Sequence, residues 1–303
     1  MTANRSTEQR TCAVVVTYNR KALLMDCIAC LRGQTAEGLE ILIVDNASTD
    51  GTGEAVRLLA EQGALEYVNT GANLGGAGGV EFGIREAVKR GCDYIWVMDD
   101  DAMPEPTALE ALLAEAGQLG DFGWLSGRVL WTDGTPCRMN LQRDLNMGNL
   151  TDFSGARVPS GAATFVSLLV PAKVVREVGL PIGEFFIWAD DLEYTRRISR
   201  IHPCYVIPAS VTVHRCETNN GGNIATDVPG RIGRYRYAYR NEVYVYRREG
   251  LRGAARLVVR TFGHIYRVRR RSKDRKWERI RVIIGSTLRG LSFRPEIHYI
   301  EGD

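Results

Sequence analysis

The 303-residue chain is 45% hydrophobic and 25% charged, proportions of a globular protein that exclude a disordered, collagen-like or disulfide-scaffold class. Its net charge of +3 hides an asymmetry: residues 228–303 carry 20 Lys and Arg against 7 Asp and Glu, leaving 19 against 29 in residues 1–227. An acidic body at 1–227 and a basic region at 228–303 are expected, with no apolar run of the roughly 18 to 20 residues that cross a bilayer and a polar start, Met1 to Arg10, unlike a signal peptide, so the expected location is cytoplasmic.

Short β-branched runs at residues 12–17, 39–45, 65–69 and 94–99 predict strands, and the stretches 21–32, 52–62, 77–90 and 105–116 predict helices between and after them. The strands are continuously apolar, as in Ala13-Val14-Val15-Val16 and Ile41-Leu42-Ile43-Val44, which suits a parallel sheet covered on both faces and joined by right-handed crossovers. Cys27 and Cys30 form a C-x-x-C spacing inside the first helix, but no second Cys/His pair accompanies them, and they read as core-facing residues. The seven cysteines are an odd, scattered set, expected as reduced thiols.

Polar residues gather beyond the carboxyl ends of the strands, where such sheets bind ligands. Thr17-Tyr18-Asn19-Arg20 follows the first strand, Asp45 to Gly51 the second, Asn69 to Gly79 the third and Asp99-Asp100-Asp101 the fourth. Loops favour these residue types for conformational reasons alone, so any one end is open to that reading; four together mark one rim. From residue 123 the pattern changes. Residues 123–131 and 161–170 predict longer strands of a mixed, partly antiparallel second half, a helix is expected near Asp190, and a strand at 204–213 ends at His214. The Gly/Asn-rich stretch 218–223 predicts a mobile loop or linker.

Asp99-Asp100-Asp101 concentrates three carboxylates at a strand end, and a hard divalent cation is the simplest relief of their repulsion. On extended backbone Asp99 and Asp101 share a face while Asp100 turns aside. The competing use of such a cluster is an N-cap for the helix that follows.

With these residues in view, the chain from about Thr11 to His214 resembles the inverting, nucleotide-sugar-dependent glycosyltransferases of family 2, whose α/β fold is called GT-A. The resemblance is carried by Val14 to Arg20, Ile43 to Thr52, Asn73-Leu74-Gly75-Gly76-Ala77-Gly78-Gly79, Trp96 to Asp101 and Phe185 to Asp191, in order and at family-like spacing. It implies that Asp45 accepts from the N3–H of uracil or thymine, with Thr17, Tyr18 and Asn19 around the base. Asn73, Gly75 and Gly76 are placed under the sugar-diphosphate in a glycine-rich loop, with Asp100 also in the donor site. Asp99, Asp101 and His214 resemble the family's ligands for Mg²⁺ or Mn²⁺. Asp190 and Asp191 resemble its acidic pair, with Asp191 as catalytic base and Asp190 and Trp188 toward the acceptor; charge at a helix N-terminus and a core position are the plain structural uses of these residues. Branch-level likeness points to a UDP-galactofuranose donor, with dTDP-rhamnose as the alternative and a non-catalytic nucleotide-sugar-binding subunit as a second.

In the basic region, Leu251, Ala255, Val258, Phe262 and Ile265 recur at helical spacing, as do Trp277, Ile280, Ile284, Leu288 and Leu291, with arginines between them. Two basic amphipathic helices are expected, suited to an anionic membrane surface on the inner face of the plasma membrane, or to packing on the body or a second subunit as a homo-oligomer. No nucleic-acid-reading motif accompanies them. The upstream Tyr235-Arg236-Tyr237-Ala238-Tyr239-Arg240-Asn241 resembles a segment of family members that extend lipid-linked glycans, which implies a polyprenyl-diphosphate-linked acceptor.

Overall fold

A computed structural model describes residues 9–300; residues 1–8, on which the expectation of no leader partly rests, and 301–303 lie outside it. The first half runs β1 (Thr11–Thr17), α1 (Lys21–Arg32), β2 (Leu39–Asp45), α2 (Thr52–Glu61), β3 (Glu66–Asn69), α3 (Gly75–Lys89), β4 (Tyr94–Asp99), β5 (Ala102–Pro104) and α4 (Ala108–Leu119). The second continues β6 (Leu125–Trp131), β7 (Val158–Pro159), β8 (Leu168–Pro171), α5 (Ala172–Val178), α6 (Asp190–Ser199), β9 (Tyr205–His214), α7 (Tyr235–Arg247), α8 (Gly250–Arg271) and α9 (Lys276–Ser292).

One mixed sheet has the order β3-β2-β1-β4-β8-β6-β9-β5, with β7 on β9. The first four strands are parallel, and β8 turns the sheet antiparallel against β4 and β6. Alternation along each strand sorts two cores: Ala13, Val15, Ile41, Ile43 and Trp96 face α1 and α4, whereas Val14, Val16, Leu42, Val44 and Val97 face α3, α5 and α6. Register aligns the carboxyl ends, pairing Thr17 with Asp45, Asp45 with Asn69 and Val16 with Asp99. The antiparallel pairing of β5 with β9 sets Ala102 opposite His214 and so draws the histidine to the triple-aspartate end of β4.

Several expectations are corrected. The glycine-rich segment is the first turns of α3 rather than a loop, and its later glycines serve packing: a Cβ at Gly79 would stand 2.4 Å from Val16 Cγ1 and one at Gly83 2.3 Å from Val14 Cγ1. Asp100 and Asp101 occupy a turn between β4 and β5, not extended backbone. The strand expected at 161–170 shrinks to Leu168–Pro171, because the backbone of Gly161, Ala162 and Ala163 is taken by Arg143 and the Thr195 hydroxyl instead of a neighbouring strand. The fourth helix starts at Ala108, after the short β5 and Pro106.

The two helices expected in the basic region form as α8 and α9, and α7, over the upstream tyrosine-rich segment, precedes them. Tyr235, Tyr239, Val268, Ile280 and Ile283 close a core of their own with Ile224 and Ala225, and a further cluster joins Tyr244 and Val245 of α7 to Ala77, Ile182 and Phe185. The outer faces of α8 and α9 stay open, with Leu251 91%, Phe262 68% and Trp277 75% exposed. No helix among the described residues is long and apolar enough to cross a membrane.

Candidate active site

A cavity of about 740 Å³ opens at the carboxyl edge of the sheet, walled by Asp99 to Asp101, Gly76 of α3, Trp188 to Asp191, His214 and one face of α7 and α8. One carboxylate oxygen each of Asp99 and Asp101 and a ring nitrogen of His214 lie within 4.8 Å of one another. His214 Nε2 is 2.9 Å from Asp101 Oδ1. Its Nδ1 is 2.7 Å from the Asn140 amide oxygen, whose own amide group donates to Thr164 Oγ1. Asn140 therefore fixes the Nδ1–H tautomer and leaves Nε2 directed at the carboxylates, the usual support of a metal-binding imidazole. Two hard oxygens and an imidazole suit Mg²⁺ or Mn²⁺.

The electrostatics fit a cation. Burial, then the neighbouring Asp101 charge, pushes Asp99 up to about 6, and burial pushes Asp100 up to about 7. Against burial, which alone would lower it, the Asp101 carboxylate raises His214 to about 10; against burial, which alone would raise it, Asp101 is held below its ordinary value by His214 and Arg20. Arg20 reaches Asp101 Oδ2 at 2.6 Å and Asp100 Oδ1 at 3.3 Å, and Asp100 also accepts from the Thr17 hydroxyl at 2.8 Å. Asp100 thus ties the end of β1 to the turn and, through Arg20, to Asp101.

Across the cavity Asp190 and Asp191 open α6. Burial, followed by the charge of Asp191, raises Asp190 to about 8; burial raises Asp191 to about 6, although Asp191 Oδ1 accepts the Leu192 N–H at 2.7 Å. The approach to this pair is strained: Phe186, Trp188 and Ala189 have φ of +66°, +68° and +68°, a region costly for residues with a Cβ. α7 holds it. Asn241 Nδ2 donates to the carbonyls of Phe185, Ile187 and Trp188, and Arg240 donates to Glu184 and Phe185. Three tyrosines of α7 lie on three aromatics of the segment, Tyr235 on Trp188 at 4.9 Å, Tyr237 on Phe186 at 4.7 Å and Tyr244 on Phe185 at 5.5 Å.

The remaining expected residues sit along the rim. Asp45 is fully buried, its oxygens accepting from the Tyr67 hydroxyl and the Ser48 N–H at 2.8 Å each. Tyr18 is exposed, and Asn19, at φ +54°, joins Ser48 and Thr49. Asn73 accepts from the Gly75 N–H at 2.9 Å; Gly75, at φ +72°, backs so closely on the Phe186 carbonyl that a Cβ would meet it at 2.1 Å. Gly76 faces open space in the cavity. Thr17, Tyr18, Asn19, Asp45, Asn73 and Gly75 do not line the cavity itself. The stretch 218–223, expected as a mobile loop or linker, is a loop that walls the site: Gly221 and Gly222 line it, and Asn219 is bonded to Arg138, Thr135 and Pro136.

Residues 12–146 match the family model described as "Glycosyl transferase family 2". The galactofuranosyltransferase GlfT1 of Mycolicibacterium smegmatis is 30% identical over 288 residues, covering 89% of this chain and 94% of that protein. The chain belongs to glycosyltransferase family 2. GlfT1 of Mycobacterium tuberculosis is likewise 30% identical over 285 residues, 89% of this glycosyltransferase and 93% of the relative. Among solved structures, S. aureus TarS 1-349 superimposes with TM-score 0.57 at 13% identity over 94% of this chain and 72% of that one. GalNAc-T7 with UDP, GalNAc and Mn²⁺ gives 0.58 at 14% identity over 81% and 52%. The fold of this glycosyltransferase is GT-A.

Proposed function

We propose that this glycosyltransferase transfers galactofuranose, with inversion, from UDP-galactofuranose to a glycan carried on polyprenyl diphosphate during assembly of a cell-wall or surface polysaccharide. The observation that carries the reading is the convergence of Asp99, Asp101 and His214 with the acidic start of α6 on one cavity. The choice of sugar is supported by the two mycobacterial relatives, both named galactofuranosyltransferases.

Asp99, Asp101 and His214 would hold Mg²⁺ or Mn²⁺, which when bound neutralises charge on a leaving diphosphate. Asp45 takes the N3–H of the base once the Tyr67 hydroxyl yields its oxygen, with Thr17, Tyr18 and Asn19 at the same end. Asn73, Gly75 and Gly76 set the N-terminus of α3 beneath the diphosphate, where the positive end of the helix dipole favours an anion, and Asp100 holds Arg20 beside it. Trp188 offers a ring face to the acceptor sugar, and Asp190 borders it. Asp191, raised to about 6, is ionised at neutral pH yet basic enough to take the acceptor hydroxyl proton. The freed oxygen attacks the anomeric carbon opposite the departing UDP, so a single displacement inverts the centre.

The open faces of α8 and α9 suit an anionic bilayer. Leu251, Phe262 and Trp277 insert while flanking arginines meet headgroups at about 1 kcal/mol each, putting the enzyme on the inner face of the plasma membrane; a homo-oligomer is the other use of these faces. The test is transfer from UDP-galactofuranose to a polyprenyl-diphosphate-linked disaccharide, with the anomeric configuration read by NMR. An inverted galactofuranosyl product supports the reading; transfer only from dTDP-rhamnose, or retention, contradicts it. Flotation with anionic vesicles that weakens as salt rises supports the membrane contact, and no flotation at any salt removes it.

A further inference from the structure

Behind the carboxylates lies a second donor set of different chemistry. Cys137 Sγ, Cys216 Sγ and a His214 ring nitrogen lie within 4.8 Å of one another, and the Cys137 sulfur stands 3.8 Å from His214 Nδ1. The Asn140 amide oxygen is 2.7 Å from that nitrogen and 3.0 Å from the same sulfur. Tetrahedral zinc, with bonds of about 2.3 Å to sulfur and about 2.0 Å to nitrogen, sets such ligands roughly 3.5 to 3.8 Å apart. Both cysteines are free thiols. Cys137 and His214 are buried, whereas half-buried Cys216 lies on the cavity wall, which gives an ion a way in.

We propose that Cys137, Cys216 and His214 Nδ1 bind a thiophilic divalent cation of the zinc class, with the Asn140 oxygen or solvent completing the coordination. Two metal–thiolate bonds and one metal–nitrogen bond form. The two thiol protons and the Nδ1 proton of the His214 ring pass to solvent, and the ring keeps its remaining proton on Nε2. Nε2–H then donates to Asp101 Oδ1, already 2.9 Å away, and has no lone pair left for a hard cation. Occupancy of the thiol site therefore withdraws His214 from the Asp99 and Asp101 site, and the two ions oppose each other through one ring. This antagonism rests on the metal site of the proposed function; the thiol site itself does not.

The test uses the reduced full-length chain and Co²⁺ as a coloured substitute for zinc. One equivalent is expected to give thiolate-to-cobalt charge-transfer absorption that zinc displaces and that is lost in Cys137→Ser and in Cys216→Ser. Manganese binding, followed by the electron paramagnetic resonance of free Mn²⁺, is expected to weaken about fivefold or more when zinc is added to the wild type, and to be unmoved by zinc in Cys216→Ser. Cys216 is half buried, so its variant carries the test if Cys137→Ser does not fold. No charge-transfer band, or an undiminished band in Cys216→Ser, overturns the site. A band with manganese affinity indifferent to zinc overturns the antagonism, whereas a band in a chain that binds no manganese contradicts the hard-metal site alone.

Discussion

Asn241 of α7 donates its side-chain amide to the carbonyl of Trp188 at 2.9 Å, and the same nitrogen lies 3.0 Å from the Phe185 and 3.2 Å from the Ile187 carbonyl. One fully buried amide thus shares its two N–H groups among three carbonyls of the strained segment that leads into Asp190 and Asp191, so α7 braces the backbone that presents the proposed base.

Replacing Asn241 with Asp sets an acceptor against three carbonyls. Each unsatisfied buried group costs about 1 to 3 kcal/mol, and the segment is expected to relax from its left-handed backbone. kcat should fall at least about tenfold with little change in donor KM, since displacement of a catalytic group by 1 Å costs on this scale or more. Tyr244→Phe on the same helix, which removes a hydroxyl that has no hydrogen-bond partner among the described residues, should keep wild-type kcat. Steady-state kinetics on both variants check this; equal losses in the two would reduce Asn241 to a packing role.

Asp191→Asn removes the proposed base with little change of shape. The expected loss in kcat is about 10² to 10⁴, with a melting temperature equal to or above wild type, because a carboxylate disfavoured by burial is gone. UDP binding should be unchanged. Retained activity would move the base elsewhere.

The metal-free chain should lose stability as pH rises. Asp99, Asp100, Asp190 and Asp191 sit at about 6, 7, 8 and 6 when folded, above their ordinary 3.8, so the folded chain holds these protons more tightly. Their contribution is full below 3.8 and is lost as pH climbs through those values. His214, raised from 6.5 to about 10, acts in the same direction above 6.5, and lowered Asp101 opposes only in acid. Mn²⁺ should therefore raise the melting temperature more at about pH 8 than at about pH 5, as thermal unfolding with and without the ion would reveal. A shift that is flat with pH would contradict this origin.

Glycines of α3 should separate by role. Gly83→Ala drives a Cβ to 2.3 Å from Val14 Cγ1 and 3.0 Å from Val44 Cγ2, and overpacking of this kind costs about 1 to 3 kcal/mol. Gly76→Ala meets nothing within 4 Å and should leave stability unchanged while weakening UDP, if the helix start lies beneath the diphosphate. Denaturant melts and UDP titrations on both variants distinguish packing from binding.

Much of this was legible in the sequence because strand periodicity and polar strand ends are local signals. The runs Val14 to Arg20 and Trp96 to Asp101 disclose a parallel sheet and its binding edge without reference to anything distant. Asn140 carries no local signal, its role set by His214 74 residues away, and Asn241, although it ends the Tyr235 to Asn241 segment, owes its role to Trp188 53 residues away. Arg20 closes the run Val14 to Arg20, yet its pairing with Asp101 depends on the β1 to β4 register. The glycine-rich run misled toward a loop because helix packing against β1 calls for the same residue as a close backbone approach. The tail's helical period was readable, but not which stripe would be covered: Ile280 is buried, whereas Trp277, Leu288 and Leu291 on the same expected stripe stay exposed.

The donor site is tested most directly by calorimetric binding of UDP and dTDP, with and without Mn²⁺, to the wild type and to Asp99→Ala. UDP binding is expected to strengthen with Mn²⁺, to exceed that of dTDP, and to lose its metal dependence in the variant. Preference for dTDP would transfer the donor to a thymidine sugar, and binding of neither nucleotide, or UDP binding indifferent to Mn²⁺ and to Asp99, would contradict the assignment of this cavity as a metal-dependent donor site.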